Sequence, residues 1–308
     1  MKRLIIDTDP GVDDAHALLL ALAHPDVQVE AITTVNGNVS IDFTTSNTLK
    51  ILDVAEKDVP VYRGCDRPLI NRPENAAFVH GVDGLGDCGI PASKKQVQSE
   101  HAVHALVRLA NEHPGEFTLV AIGPLTNLAV ALSLDPDLPA KFKQLVIMGG
   151  AIYSKGNTEA VTAEFNIHTD PEAAHIVFSS WPMLTLLSWE TTLAHIFTRD
   201  VLDRLFDLGT PRAKFFHDTN QKILGFIKER LGQDILFAPD GLAMAVAIEP
   251  GIVRKSEKKH VSIELHGLQT RGQTVVDWYG RTQKPPNTDI ILELDQNRFI
   301  ELMENGLQ

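Results

Sequence analysis

Four carboxylates fall within eight residues near the N-terminus, in the run Leu4-Ile5-Ile6-Asp7-Thr8-Asp9-Pro10-Gly11-Val12-Asp13-Asp14. Such a cluster repels itself unless something positive sits in it. Oxygen-only ligands with no Cys or His pair nearby favour a hard cation, Ca²⁺ or Mg²⁺, over zinc. Strand alternation puts Asp7 and Asp9 on one face at the end of an apolar strand, and Pro10-Gly11 makes a turn. Asp13 and Asp14 then open a helix whose apolar positions are Ala15, Leu18, Leu19 and Leu22. Helix capping would account for Asp13 and Asp14 alone. Four acids at a strand end, where open α/β sheets place ligands, point to a metal or polar-substrate site.

A strand-end Asp-x-Asp-x-Gly is also the nucleophile pattern of haloacid-dehalogenase-type phosphatases, but the downstream Lys and second acidic pair those enzymes need have no convincing equivalent here. The complete string Asp-Thr-Asp-Pro-Gly-Val-Asp-Asp-Ala resembles the signature of the inosine-uridine-preferring nucleoside hydrolase family instead. Three later segments agree with it, so the resemblance spans nearly the whole chain.

The first of these is Ala121-Ile122-Gly123-Pro124-Leu125-Thr126-Asn127, a strand end running into an apolar helix. A Gly-Pro turn there exposes backbone carbonyls, which are good Ca²⁺ ligands, although composition alone describes only a βα turn. The second runs from Met148-Gly149-Gly150 through Gly156-Asn157 to Ala163-Glu164-Phe165-Asn166. Its amides and carboxylate suit a polyol, since Asn and Glu together donate to and accept from hydroxyls, yet a surface loop has similar composition. The third is Phe237-Ala238-Pro239-Asp240-Gly241-Leu242-Ala243-Met244, in which Asp240 alone reads as a helix N-cap.

The resemblance gives these segments roles. It implies Ca²⁺ held by Asp9, Asp14, Asp240 and the Thr126 carbonyl, with Asp7 orienting that network. It implies a nucleoside site formed by Asp13, Asn38, His80, Asn157, Glu164, Phe165 and Asn166, and Asp9 as the general base that takes a proton from the attacking water. The expected reaction is hydrolysis of the N-glycosidic bond of a ribonucleoside to free base and ribose. One position departs from the family. The residue before Asp240, a His in the best-known members that protonates the departing base, is Pro239 here. His80, Trp189, His217, Lys222 and Phe226 are the candidates to compensate. Two readings from other classes stay open at this point: a calcium-dependent nucleoside- or ribose-binding protein with little turnover, and a Mg²⁺-dependent phosphohydrolase.

These residues need a scaffold that brings strand ends together. Strand-like runs at 27–35, 117–122, 144–148 and 183–188 alternate with helical patterns at about 41–56, 100–112, 125–133 and 171–180. That is the rhythm of an α/β fold with a mostly parallel, doubly wound sheet flanked by helices. After Arg199 come long helical stretches, strand patterns at 259–265, 272–279 and 289–294, and a final helix, expected as helical and β-hairpin elaborations of one domain over 1–308. The chain has 308 residues, a net charge of −12 and a pI near 5.4, which argues against nucleic-acid or anionic-membrane partners. Met1-Lys2-Arg3 runs straight into the first strand, and Cys65 and Cys88 form no metal pattern, so a cytoplasmic enzyme with free thiols is expected. The resemblance adds a homodimer or homotetramer.

Overall fold

The computed structural model describes residues 1–308. Its first half alternates strand and helix: β1 (Lys2–Thr8), α1 (Val12–Ala23), β2 (Val27–Thr34), α2 (Ile41–Val54), β3 (Val61–Arg63), α3 (Ala77–His80), α4 (Ala102–Glu112), β4 (Phe117–Ala121), α5 (Thr126–Leu134), α6 (Leu138–Lys141) and β5 (Gln144–Met148). The alternation continues with α7 (Phe165–Thr169), α8 (Pro171–Ser180), β6 (Leu184–Leu187) and α9 (Trp189–Ala194). A more helical stretch follows, with β7 (Phe197–Thr198), α10 (Arg199–Phe206), α11 (Pro211–Leu231), β8 (Ile235–Leu236) and α12 (Pro239–Ile248). The chain closes with β9 (Val253–Lys259), β10 (Val261–Ile263), β11 (Thr274–Val276), β12 (Thr288–Leu294) and α13 (Gln296–Leu307).

Eight strands form one sheet in the order β3-β2-β1-β4-β5-β6-β12-β9, parallel throughout except for β9, which pairs antiparallel with β12. Strand alternation divides β1 between two cores. Leu4 and Ile6 pack with α1, α12 and α13 on one face, and Ile5 packs with α4, α5 and α8 on the other. From β1 the chain winds outward through β2 and β3, then returns to lay β4 on the opposite side of β1. This reversal opens a crevice at the carboxyl ends of β1 and β4, the place where doubly wound sheets bind ligands. The acids after β1 and the Gly123-Pro124 turn after β4 both lie there.

The doubly wound centre follows the hydrophobic pattern closely, whereas the C-terminal strands differ from it. The pattern at 259–265 is two strands, β9 and β10, and β9 begins six residues earlier. Its sequence Val-Arg-Lys-Ser-Glu-Lys-Lys lacks the apolar run of a buried strand because it is the sheet's edge, where charge discourages pairing with other chains. The pattern at 272–279 shortens to β11, which pairs with β10 as a separate hairpin. Both cysteines are free, and no helix is long and apolar enough to cross a membrane.

Candidate active site

The β1 strand ends in residues that fold back on one another. Asp14, in the first turn of α1, accepts from the Thr8 hydroxyl at 2.5 Å, the Gly11 amide at 2.9 Å and the Asn38 side chain at 3.0 Å. Asp9 accepts from the Asn38 amide at 2.7 Å through Oδ2, while its Oδ1, fully buried, has no partner. Two glycines make room for it: a Cβ on Gly37 would lie 2.0 Å from Asp9 Oδ2, and one on Gly123 would lie 2.7 Å from Oδ1. Asp240, at the second position of α12 rather than at its N-cap, closes the group. Carboxylate oxygens of Asp13, Asp14 and Asp240 lie within 4.8 Å of one another.

Burial and mutual repulsion raise the pKa values of this group together. Asp240 is pushed well above the ordinary carboxylate range by burial and then by the charges of Asp13, Asp14 and Asp9, and Asp9 likewise by burial and Asp14. Burial pushes Asp13 and Asp14 up to about 6. A cation among these oxygens relieves both costs, and the unpartnered Oδ1 atoms of Asp9 and Asp13 give it ligands no protein group already uses. The residues present therefore fit a hard divalent ion.

Asp13 and Asp240 form the floor of a cavity of about 380 Å³, and Asp9 and Asp14 are buried beside them without lining it. Asp13, Asn38, His80, Asn157, Glu164, Phe165, Asn166 and Asp240 all line it, so seven expected nucleoside-site residues and one expected metal ligand share its wall. Glu164 caps α7, accepting from the Asn166, Gly150 and Ile167 amides at 2.9, 2.8 and 3.2 Å. Asn166 spends its amide protons on the carbonyls of Ile122 and Met148, at 3.1 and 3.3 Å, leaving its oxygen for a ligand. Asn157 stands at the rim, where its oxygen accepts the Phe165 amide at 2.9 Å. His80 accepts the Val12 amide at Nδ1, 3.2 Å, which assigns the ring proton to Nε2.

Three expected residues are elsewhere. Thr126 lies in the first turn of α5, its hydroxyl donating to Asp170 at 2.7 Å, and it faces a different surface depression beside Arg63 and Cys65. The residue after β4 that lines the cavity is Ile122, whose carbonyl is held by Asn166, and Thr126 begins its helix beyond the Gly123-Pro124 turn. His217 borders a solvent-open depression of about 810 Å³ around α10 and α11, and Lys222 is held by Asp87 at 2.5 Å, so neither faces the cavity. Asp7 supports rather than faces the cluster. Its Oδ1 accepts from Thr33 and Asn127 at 2.6 and 2.8 Å, and burial pushes it up to about 7.

Opposite the acidic floor the wall is apolar and aromatic. Ile223, Phe226, Ile227 and Arg230 recur at helical spacing on one face of α11, joined by Phe78, Trp189, Phe237 and Pro239. Phe226 meets Phe78 edge-on at 5.7 Å between centroids, and Trp189 meets Phe237 at 5.4 Å. Phe78 and Arg230 carry no motif, and only their fold neighbours place them here. The arrangement offers carboxylates and amides to a polyol at one end and ring faces to a planar group at the other, which is the shape of a nucleoside.

A family model described as inosine-uridine preferring nucleoside hydrolase matches residues 4–301. The inosine-uridine preferring nucleoside hydrolase of Crithidia fasciculata is 36% identical over 310 residues, covering 100% of this chain and 98% of that protein. The pyrimidine-specific ribonucleoside hydrolase RihB of Escherichia coli O9:H4 (strain HS) is 34% identical over 303 residues, covering 98% of this chain and 96% of that protein. Among solved structures, an inosine-guanosine nucleoside hydrolase superposes with a TM-score of 0.90 at 35% identity, over 99% of this chain and 98% of that one. Sequence match, sheet order and the two-ended cavity agree: the chain belongs to the inosine-uridine preferring nucleoside hydrolase family and is an enzyme that hydrolyses the N-glycosidic bond of ribonucleosides.

Proposed function

We propose that this single-domain hydrolase depends on Ca²⁺, with Asp9 as general base and the ribose held between the acidic floor and the Glu164–Asn166 segment. The observation that carries the reading is the self-repelling set Asp9, Asp13, Asp14 and Asp240, at the switch point of the sheet, bordering the cavity through Asp13 and Asp240 and holding unpartnered oxygens on Asp9 and Asp13. Asp9, Asp14, Asp240 and the Ile122 carbonyl would hold the ion, Ile122 taking the place expected for Thr126. When bound, such an ion lowers the pKa of water and anchors vicinal hydroxyls.

The protein's own groups do the rest. Asp13, Asn38 and Asn166 face the 2′ and 3′ hydroxyls, Glu164 and Asn157 face the far side of the sugar, and Phe165 and His80 border it. Water adds to C1′ while Asp9 takes its proton, and the surrounding carboxylates stabilise the positive charge that develops on the oxocarbenium-like ring. The named relatives act on purine and on pyrimidine nucleosides, so the apolar wall, which differs in kind from the floor, is where this chain sets its base preference. Family membership further supports a cytoplasmic homodimer or homotetramer in nucleoside salvage.

The test is incubation with a panel of purine and pyrimidine ribonucleosides, following free base by chromatography. Release of base and ribose in equal amounts is expected, and binding of nucleosides without release would overturn the reading.

A further inference from the structure

The apolar wall carries one arginine, Arg230, which is exposed at the cavity's edge. Arg230 lies on the cavity-lining face of α11, one turn beyond Phe226, with its guanidinium carbon 5.4 Å from the centroid of that ring. The neighbouring cations of the same helix are tied up, Lys222 by Asp87 and Lys228 by Asp234, whereas Arg230 makes no ion pair. A guanidinium stacked on an aromatic face is oriented, with its donors directed edgewise. Around it stand the rings of Phe78, Phe226, Trp189 and Phe237, which stack on a planar base but accept none of its charge, and Pro239, which has no proton to lend.

We propose that Arg230 recognises 6-oxopurine ribonucleosides, pairing its forked donors with O6 and N7 of the base and stabilising the negative charge that the base carries as it departs. The proposal rests on the reading above, which places the sugar on the acidic floor and the base against this wall. The fork of an arginine matches O6 and N7 of a 6-oxopurine, while an adenine presents an amino donor at position 6 and meets the guanidinium with the wrong polarity. The bookkeeping closes without an acid at position 239. The C1′–N9 bond breaks and its electron pair passes to the purine, spread over N7 and O6 beside the guanidinium. The water oxygen bonds to C1′, its proton goes to Asp9, and the purine anion takes a proton from solvent to leave as the neutral base.

The experiment compares kcat/KM for inosine, guanosine, adenosine and p-nitrophenyl riboside in wild type, Arg230→Gln and Arg230→Lys, all with Ca²⁺ and with thermal melting to verify folding. Wild type should prefer inosine and guanosine to adenosine. Arg230→Gln should lose ~10–100-fold on inosine and guanosine, the worth of one good bidentate pair, and less than about 3-fold on p-nitrophenyl riboside, whose leaving group is already a stabilised anion. Arg230→Lys, which keeps charge without the fork, should fall between. Equal losses on all four substrates, unchanged inosine turnover in Arg230→Gln, or a wild type that cleaves adenosine but spares inosine and guanosine would each overturn the proposal while leaving the hydrolase reading intact. No base release from any nucleoside by wild type would overturn both.

Discussion

The two ends of the cavity are built by different means. At the acidic end each group is fixed by several bonds: Asp14 accepts from Thr8, Gly11 and Asn38, and Glu164 from three backbone amides. These residues sit at strand ends and helix N-termini of the sheet, where the backbone itself supplies the donors. At the apolar end one face of α11 leans in with side chains held by ring contacts, and its Arg230 makes no ion pair. The floor is preorganised for one chemistry, and the wall is the part that can differ without disturbing it. Substitutions should therefore divide into those that lower turnover of every ribonucleoside and those that redistribute it among bases.

The largest effect is expected at the floor. Asp14→Ala removes a proposed ligand and strips the acceptor from four donors, so the protein should bind no stoichiometric metal and show no measurable base release. Metal analysis beside the activity assay checks this. Asp9→Asn keeps the shape and loses the proton acceptor, so kcat should fall at least ~10²-fold for every nucleoside, with much less change in KM. Steady-state kinetics on inosine and uridine would show it, and barely altered turnover would make Asp9 a ligand only.

Smaller and more selective effects belong to the wall. Trp189→Ala should raise KM by ~10–100-fold, the worth of one aromatic stack, and by different factors for purines and pyrimidines. Pro239→His should do the reverse of a loss. A proline at the first position of α12 is replaceable without breaking the helix, and an imidazole there should raise turnover of natural nucleosides by up to ~10²-fold, the lower end for an added general acid, relative to p-nitrophenyl riboside. An unchanged ratio would mean that base departure already has its full electrostatic help, and substitution at Arg230 would then be the way to expose it.

A pH effect distinguishes the floor from an ordinary acidic surface. Asp13 and Asp14 lie near 6 and Glu164 near 7, each above the value of its unfolded carboxyl. Between about pH 4 and 7 the folded, metal-free protein therefore holds more protons than the unfolded chain, and its stability falls as pH rises through that window. Chelated protein should melt at a higher temperature near pH 5.5 than near pH 7.5, by roughly 2–4 °C for each kcal/mol gained, and added Ca²⁺ should shrink the difference. Melting curves at the two pH values, with and without chelator, decide it.

The same contrast explains what could be read from the sequence. Asp9, Asp13, Asp14 and Asp240 announce themselves because four acids at a strand end, and one opening an apolar helix, are costly without a purpose. The parallel strands did so through apolar runs such as Leu4-Ile5-Ile6. A Gly-Pro turn offers several carbonyls in a row, and only the backbone path shows that Ile122 lines the cavity whereas Thr126 does not. Phe78 and Arg230 were silent. Each comes from a different segment, and a helix face at ordinary 3.6-residue spacing looks the same whether it covers a core or a ligand. His217 and Lys222 were plausible proton donors by type, yet one faces another depression and the other is held by Asp87.

The most direct test is metal-dependent base release from inosine. Protein prepared without chelator should carry about one Ca²⁺ per chain, lose base release on exhaustive chelation, and regain it when Ca²⁺ is returned. Stoichiometric zinc, or full activity after chelation, would contradict the account.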